Sequence, residues 1–195
     1  SMRDVSVSNN DVRIVSILDL DATQRADVRR MFVGDTTYSL ANMNVSCFAS
    51  ERCNVREPAS HTGEMTADDL LQTATNTYAL TRGATVLAVA STHRMTNCGF
   101  LGMTTSVHAD DVLLGNLCVN NSERSQGVGR MLMDHVIKQS PGRVYVSVRL
   151  ADSDASPEVR AFMQTRSTDL VSMYTHMKFV HVETTPRFTV LVHSL

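Results

Sequence analysis

One stretch constrains the fold more than any other: Leu117-Cys118-Val119-Asn120-Asn121-Ser122-Glu123-Arg124-Ser125-Gln126-Gly127-Val128-Gly129-Arg130-Met131-Leu132. The apolar run Asp111 to Val119 that ends in it reads as a strand. After a polar turn, Val128, Met131, Leu132 and Val136 recur at helical spacing, until Gln139-Ser140-Pro141-Gly142 stops the helix. A strand must therefore hand over to a helix through a glycine-containing turn. The first helical residues have free backbone N–H groups, and the helix dipole is positive at that end. Gly127 and Gly129 carry no β-carbon, so the backbone can come close to a ligand there, and Arg124 and Arg130 add charged donors. Such a turn suits a phosphate. It is not a Walker loop, since no Gly-Lys-Ser/Thr follows.

The flanking sequence also argues against a dinucleotide fold, because the strand-to-helix unit does not sit in an alternating βαβ series. Val12 to Leu18 reads as a first strand and Thr23 to Phe32 as a helix, with Asp21 or Thr23 as N-cap. Ala41 to Ala67 is polar, irregular and holds Pro58, so it reads as a long loop or insertion; Glu64 to Leu71 looks like the start of a short helix. Thr77 to Arg82 and Thr85 to Arg94 flank Gly83 as a hairpin would. Arg143 to Leu150 alternates, with Val144, Val146, Val148 and Leu150 on one face and Arg143, Tyr145, Ser147 and Arg149 on the other. The polar segment 151–166 reads as a second insertion. Thr168 to Met177 reads as a helix that puts Leu170, Met173, Tyr174 and Met177 on one face, and strands near Phe179–Thr184 and Arg187–Val192 close the chain. The expected architecture is a single α+β domain over 1–195, with helices on both faces of a mostly antiparallel, twisted sheet of about seven strands.

Composition narrows the classes. With 195 residues, 43% hydrophobic and 19% charged, the chain is long enough for one proper core and is not of disordered type. A formal net charge of −2 disfavours a grip on nucleic acid through bulk charge. No apolar run is long enough for a membrane span, and the start of the chain is polar. Cys47, Cys53, Cys98 and Cys118 form no Cys-x-x-Cys pair and lie at no zinc spacing with the histidines, so free thiols, no metal site and a cytoplasmic address are expected.

Arg124-x-x-Gly127-x-Gly129 resembles the Gln/Arg-x-x-Gly-x-Gly/Ala motif of the GNAT N-acetyltransferase superfamily, in which it follows a Leu-Ala-Val type tripeptide, here Leu117-Cys118-Val119. The order of elements from about Thr77 onward agrees with that family as well. The resemblance implies the GNAT acyl-CoA N-acyltransferase fold and an acetyltransferase using acetyl-CoA as cosubstrate. It implies that the pyrophosphate sits on backbone amides of Ser125, Gln126, Gly127, Val128, Gly129 and Arg130, with Arg124 beside it. The pantetheine arm then runs along Leu117, Cys118 and Val119, with Ser167 and Tyr174 completing the cofactor contacts. It also implies a cleft between the strand before the loop and the next strand.

The family often uses a tyrosine in Leu-Tyr-x-x-x-Gly-Phe as general acid; here the matching run is Met173-Tyr174-Thr175-His176-Met177-Lys178-Phe179, so Tyr174 is the candidate, with Lys178 in place of glycine. Packing in the apolar stripe is the competing role for Tyr174. The base is open. Asn116 occupies the place of the usual carboxylate and Ser147 the alternative one, and neither is a strong base. Asp110, Asp111, His108 and His93 are substitutes, as is loss of the amine proton to solvent. Cys118 reads as a packed residue and not a nucleophile. Direct transfer to a primary amine follows, the acceptor being a small molecule, a protein N-terminus or a lysine. A catalytically inactive acetyl-CoA-binding or regulatory protein, a longer-chain acyltransferase, and a non-enzymatic interaction module are the alternatives, and a homodimer is left open.

Overall fold

The computed structural model describes residues 12–33, 76–120 and 127–194. The segment 41–67, the short helix from Glu64 and the turn residues 121–126 lie outside them. In chain order the elements are β1 (Val12–Ser16), α1 (Ala22–Val33), β2 (Asn76–Arg82), β3 (Thr85–Arg94), β4 (Val112–Val119), α2 (Val128–Gln139), β5 (Val144–Arg149), α3 (Pro157–His176), β6 (Phe179–Thr184) and β7 (Phe188–His193). The strands form one seven-stranded sheet in the order β1-β2-β3-β4-β5-β7-β6, antiparallel throughout except for the β4–β5 pair. This is the expected α+β architecture.

Local chemistry explains most of the boundaries. Asp21 and Gln24 bond reciprocally, the Gln24 amide donating to Asp21 Oδ1 at 2.8 Å and the Asp21 amide to Gln24 Oε1 at 3.1 Å, and this box starts α1. The β2–β3 turn places Gly83 at φ 57°, a left-handed conformation that glycine adopts without strain. The first strand is shorter than its apolar run suggests, because Ser16 caps a 3-10 turn over Ile17–Asp19. The larger correction is α3, which begins at Pro157 and not Thr168, so more than half of the expected second insertion is helix. Ser156 accepts a bond from the Val159 amide and Pro157 fills the first helical position, a start signal that the polar composition concealed.

The core explains the sheet. β3 is buried along both faces between its ends, as a central strand must be. On one side Leu80, Ala88, Ala90, Leu114, Val144, Val146 and Val148 pack with Val128, Leu132, Met133 and Val136 of α2 and Tyr174 of α3. Each such fully buried large apolar side chain stabilises the fold by about 1.5–3 kcal/mol. On the other side α1 packs on β3 and β4, and Met95, Cys98 and Leu101 cover Leu113, Tyr145, Phe188 and Val190. Two apolar assignments change: Met131 and Met173 are 49% and 40% exposed, and Met133 and Val171 turn inward instead.

Candidate functional site

The parallel seam between β4 and β5 is only two register pairs long, Val112 with Val144 and Leu113 with Tyr145. From Leu114 to Val119 the β5-facing edge of β4 has no register partner on β5, while its other edge stays paired with β3 as far as the Asn120 amide, 2.8 Å from the Leu87 carbonyl. A cleft therefore opens beside a strand that is held from one side only. Within that length Ser91 pairs with Asn116 and Thr92 with Leu114, which leaves Gly115 as the extra residue of a β-bulge. The bulge resets the alternation, so that Val112 and Leu114 before it and Leu117 and Val119 after it all pack on the α2 side.

The closed end of the seam is fixed by Asp111, only 2% of whose side chain is exposed. Its carboxylate accepts from Arg143 Nη2 at 2.7 Å, Arg143 Nε at 3.3 Å, the Arg143 amide at 3.1 Å and the His108 amide at 2.9 Å. Burial pushes the carboxyl up, but the Arg143 guanidinium and the two amides outweigh that and hold it below the usual range for aspartate. A β-carbon on Gly142 would fall on the backbone of Asp110 and Asp111, so only glycine fits where the two chains converge. Asp111 is thus a structural tie and not a free base.

At the open end, Gly127 takes φ 77° as N-cap of α2, with nothing within 4 Å of the place a β-carbon would occupy. Gly129 has ordinary backbone but would put a β-carbon 3.1 Å from Val119 Cγ2 and 3.9 Å from Leu117 Cδ2. The first glycine supplies conformation and the second supplies room for the helix against the strand. Together they set the N-terminal amides of α2 over the end of β4, with exposed Arg130 one turn in. The residues present fit a diphosphate there: an open cradle, unblocked amides and a cation.

The predicted residues divide clearly. Leu117 and Val119 pack on the α2 side, and Cys118 and Asn116 keep their register opposite Val89 and Ser91. Gly127, Val128, Gly129 and Arg130 begin α2, while Arg124, Ser125 and Gln126 lie outside the described residues. Ser167 sits in the middle of α3, its hydroxyl donating to the Gln164 carbonyl at 3.0 Å. Tyr174 is buried in the cluster shared by β4, β5 and α2, its ring 5.5 Å from that of Phe179. Among the candidate bases, His108 and Asp110 are exposed in the turn before Asp111. His93 is buried opposite Leu113, with Nε2 3.5 Å from Ser91 Oγ.

Sequence reasoning missed Glu183. This β6 carboxylate accepts from the amides of Thr104 and Thr105 at 2.9 Å each and from their hydroxyls at 3.1 and 2.7 Å, bonds that draw its pKa down to about 2. A contact so distant along the chain leaves no periodic signal. Among the described residues no group of three or more His, Cys, Asp or Glu could share a metal ion, and no helix is long and apolar enough to cross a membrane.

No protein-family model and no curated protein sequence matches the chain. Solved structures do. An acetyltransferase from Thermus thermophilus is 18% identical, with 94% of this chain and 97% of that one covered and a TM-score of 0.52. The ribosomal-protein-S18-alanine N-acetyltransferase from Escherichia coli is 16% identical, with 93% and 90% covered and a TM-score of 0.50. An aminoglycoside 6'-N-acetyltransferase in complex with coenzyme A is 8% identical, with 92% and 95% covered and a TM-score of 0.58. The chain has the GNAT acyl-CoA N-acyltransferase fold.

Proposed function

We propose that the chain is an N-acetyltransferase that moves the acetyl group of acetyl-CoA directly to a primary amine, either of a small molecule or at a protein N-terminus or lysine. The observation that carries this reading is the free β5-facing edge of β4, which ends under the glycine-lined start of α2. An extended arm with two amides is suited to such an edge, as in strand addition, and a diphosphate is suited to the helix start. A protein of the same fold holds coenzyme A. The thioester supplies an activated acetyl group. A backbone N–H near Val119 polarises its carbonyl oxygen, and the Tyr174 hydroxyl gives its proton to the departing sulfur. Pantetheine lies along Leu117, Cys118 and Val119, and Ser125 to Arg130 with Arg124 hold the diphosphate.

Neither usual base position carries a carboxylate, since Asn116 stands opposite Ser91 on β4 and Ser147 opposite Val190 on β5, and among the described substitutes Asp111 is committed to Arg143 while Asp110 lies exposed in the turn before it. The reading therefore assigns deprotonation to solvent, and kcat/KM should rise with pH along the titration of the acceptor's own ammonium group. Thiol release with polyamines, amino sugars, aminoglycosides and peptides bearing free N-termini or lysines tests the activity. Tyr174→Phe should lower kcat by about 10²-fold while leaving acetyl-CoA affinity in place, and Cys118→Ala should stay active. A dead Cys118→Ala that still binds acetyl-CoA sinks direct transfer. The missing carboxylates favour one second reading, an acetyl-CoA-binding protein without catalysis. Calorimetric uptake of acetyl-CoA with no thiol release across the whole amine panel selects it.

A further inference from the structure

Where β5 ends beside the open cleft, two guanidiniums meet one carboxylate. Arg149 donates from Nη2 to Asp152 Oδ1 at 2.8 Å and lies over the Phe188 ring at 5.5 Å, with only 10% of its side chain exposed. Arg187 comes within 4.0 Å of the same oxygen through Nε, and 35% of its side chain is exposed. Arg149 therefore matches the charge of Asp152 at close range. The Arg187 guanidinium donates no hydrogen bond among the described residues. Glu183 on neighbouring β6 does not serve it, being bonded to Thr104 and Thr105. A planar fork of N–H donors, within reach of solvent, is left to bind something else.

The backbone beneath this fork is fixed. The Arg187 carbonyl accepts from the Leu150 amide at 2.8 Å, which carries the β5–β7 ladder one residue past Arg149. On the turn side the buried Thr185 hydroxyl accepts from the amides of Arg187 and Phe188, at 3.4 and 3.1 Å. The register gives the position. Leu113 and Tyr145 form the last pair shared by β4 and β5, and Gly115 is the extra residue of the bulge. Counted along each strand from that pair, Cys118 stands level with Arg149, and Val119 level with Leu150. Arg187 is thus tied to β5 at the rung where the cosubstrate reading above puts the thioester carbonyl. Pantetheine would fill the α2 side of the cleft, so an acceptor has to approach from the opposite face. Arg149 and Phe188 belong to that face: Val144, Val146 and Val148 turn toward α2, while Tyr145 and Phe188 share the other cluster.

We propose that Arg187 selects the acceptor by pairing with its carboxylate, so that the substrate is a small primary amine that also carries an acid group, as amino acids do. This narrows the acceptor class and rests on the transferase reading. Arg149 and Asp152 are positioning residues that hold the fork at the end of β5. A guanidinium meets a carboxylate through two parallel hydrogen bonds, a match that a hydroxyl or an amide does not offer. The same charge repels polyamines and aminoglycosides, which are polycations. It also disfavours the ammonium form of a bound amine, and only the neutral amine attacks.

The test uses the full chain and amines in acid and amide pairs: glycine with glycinamide, β-alanine with β-alaninamide, and L-leucine with L-leucinamide, beside spermidine and an aminoglycoside. Within each pair the amide has the less basic amino group, so unassisted chemistry favours it. Thiol release from acetyl-CoA should nonetheless give a kcat/KM at least about tenfold higher for the preferred acid than for its amide. Arg187→Gln should lower that value about tenfold, chiefly through KM and without lowering the melting temperature, and close the gap between acid and amide. Arg187→Lys should recover part of the preference. A wild type that prefers the amides or spermidine overturns the proposal and leaves acetyl transfer intact, as does an Arg187→Gln loss shared equally by acid and amide. Calorimetry with CoA bound separates the two readings without turnover. Acid uptake that depends on Arg187, with no thiol released from any amine, upholds the carboxylate site and sinks the transferase. No uptake of any acid sinks the carboxylate site.

Discussion

The two ends of the β4–β5 seam are built on opposite plans. At the closed end one buried carboxylate takes four hydrogen bonds from Arg143 and His108, and the backbones converge so tightly that Gly142 has no room for a methyl group. At the open end no register pair joins the two strands, and the glycines serve to leave space and free amides. The contrast teaches that the cleft is held open by rigidity elsewhere. Polar bonding in one place permits its absence a few residues along.

If that is right, substitutions at the closed end cost stability and those at the open end cost binding. Asp111→Ala should be the most damaging, removing about 3 kcal/mol from the unfolding free energy, because it takes away a buried acceptor that ties the His108 and Arg143 amides and the Arg143 guanidinium together; a denaturant midpoint unchanged from wild type would break the comparison. The same tie weakens in acid. Folded Asp111 holds its proton less tightly than an ordinary aspartate, so its contribution is complete above the ordinary aspartate range and is lost as pH falls through the lower folded value. Gly142→Ala should cost about 2 kcal/mol through the clash with Asp110 and Asp111.

At the open end, Gly129→Ala should leave stability nearly unchanged, its helix propensity offsetting the 3.1 Å approach to Val119 Cγ2. It should nonetheless weaken acetyl-CoA uptake about tenfold by shifting the start of α2. Gly127→Ala should also weaken acetyl-CoA uptake, with a side cost of about 1 kcal/mol in stability through φ alone, below that of either closed-end variant. The smallest effect belongs to Glu183. Its folded pKa of about 2 lies below the ordinary glutamate value of 4.5, so the hold on Thr104 and Thr105 is full above pH 4.5 and is released as pH falls toward 2. Amide exchange of those two residues, followed down that range, would detect it, and constant protection would refute it.

Much of this was legible in the sequence. Hydrophobic period and turn residues located every described strand to within about two residues, and the Gly127–Gly129 spacing pointed to the start of α2. What stayed hidden has physical reasons. The first half of α3 is exposed on most of its surface and its apolar stripe is short, only Val159, Phe162 and Met163, so the surrounding polar residues hid it, although Ser156-Pro157-Glu158 held the start signal. Asp111 read as a candidate base because a lone carboxylate in a sequence does not reveal its partner, here Arg143 across the seam. Met131 and Met173 lay on the edges of their stripes, where a rotation of one residue decides between core and solvent.

The bulge at Gly115 has a consequence for how this strand can change. Because it shifts the inside–outside alternation by one, the segment after it depends on residue count more than on residue type. With the bulge kept, losing one residue after it would turn Leu117 and Val119 to the wrong side and strip the floor from beneath α2, whereas losing Gly115 itself would give a regular ladder with both still facing the helix. Replacing a side chain leaves that arithmetic untouched, so β4 should bear substitution far better than the gain or loss of a single link after Gly115.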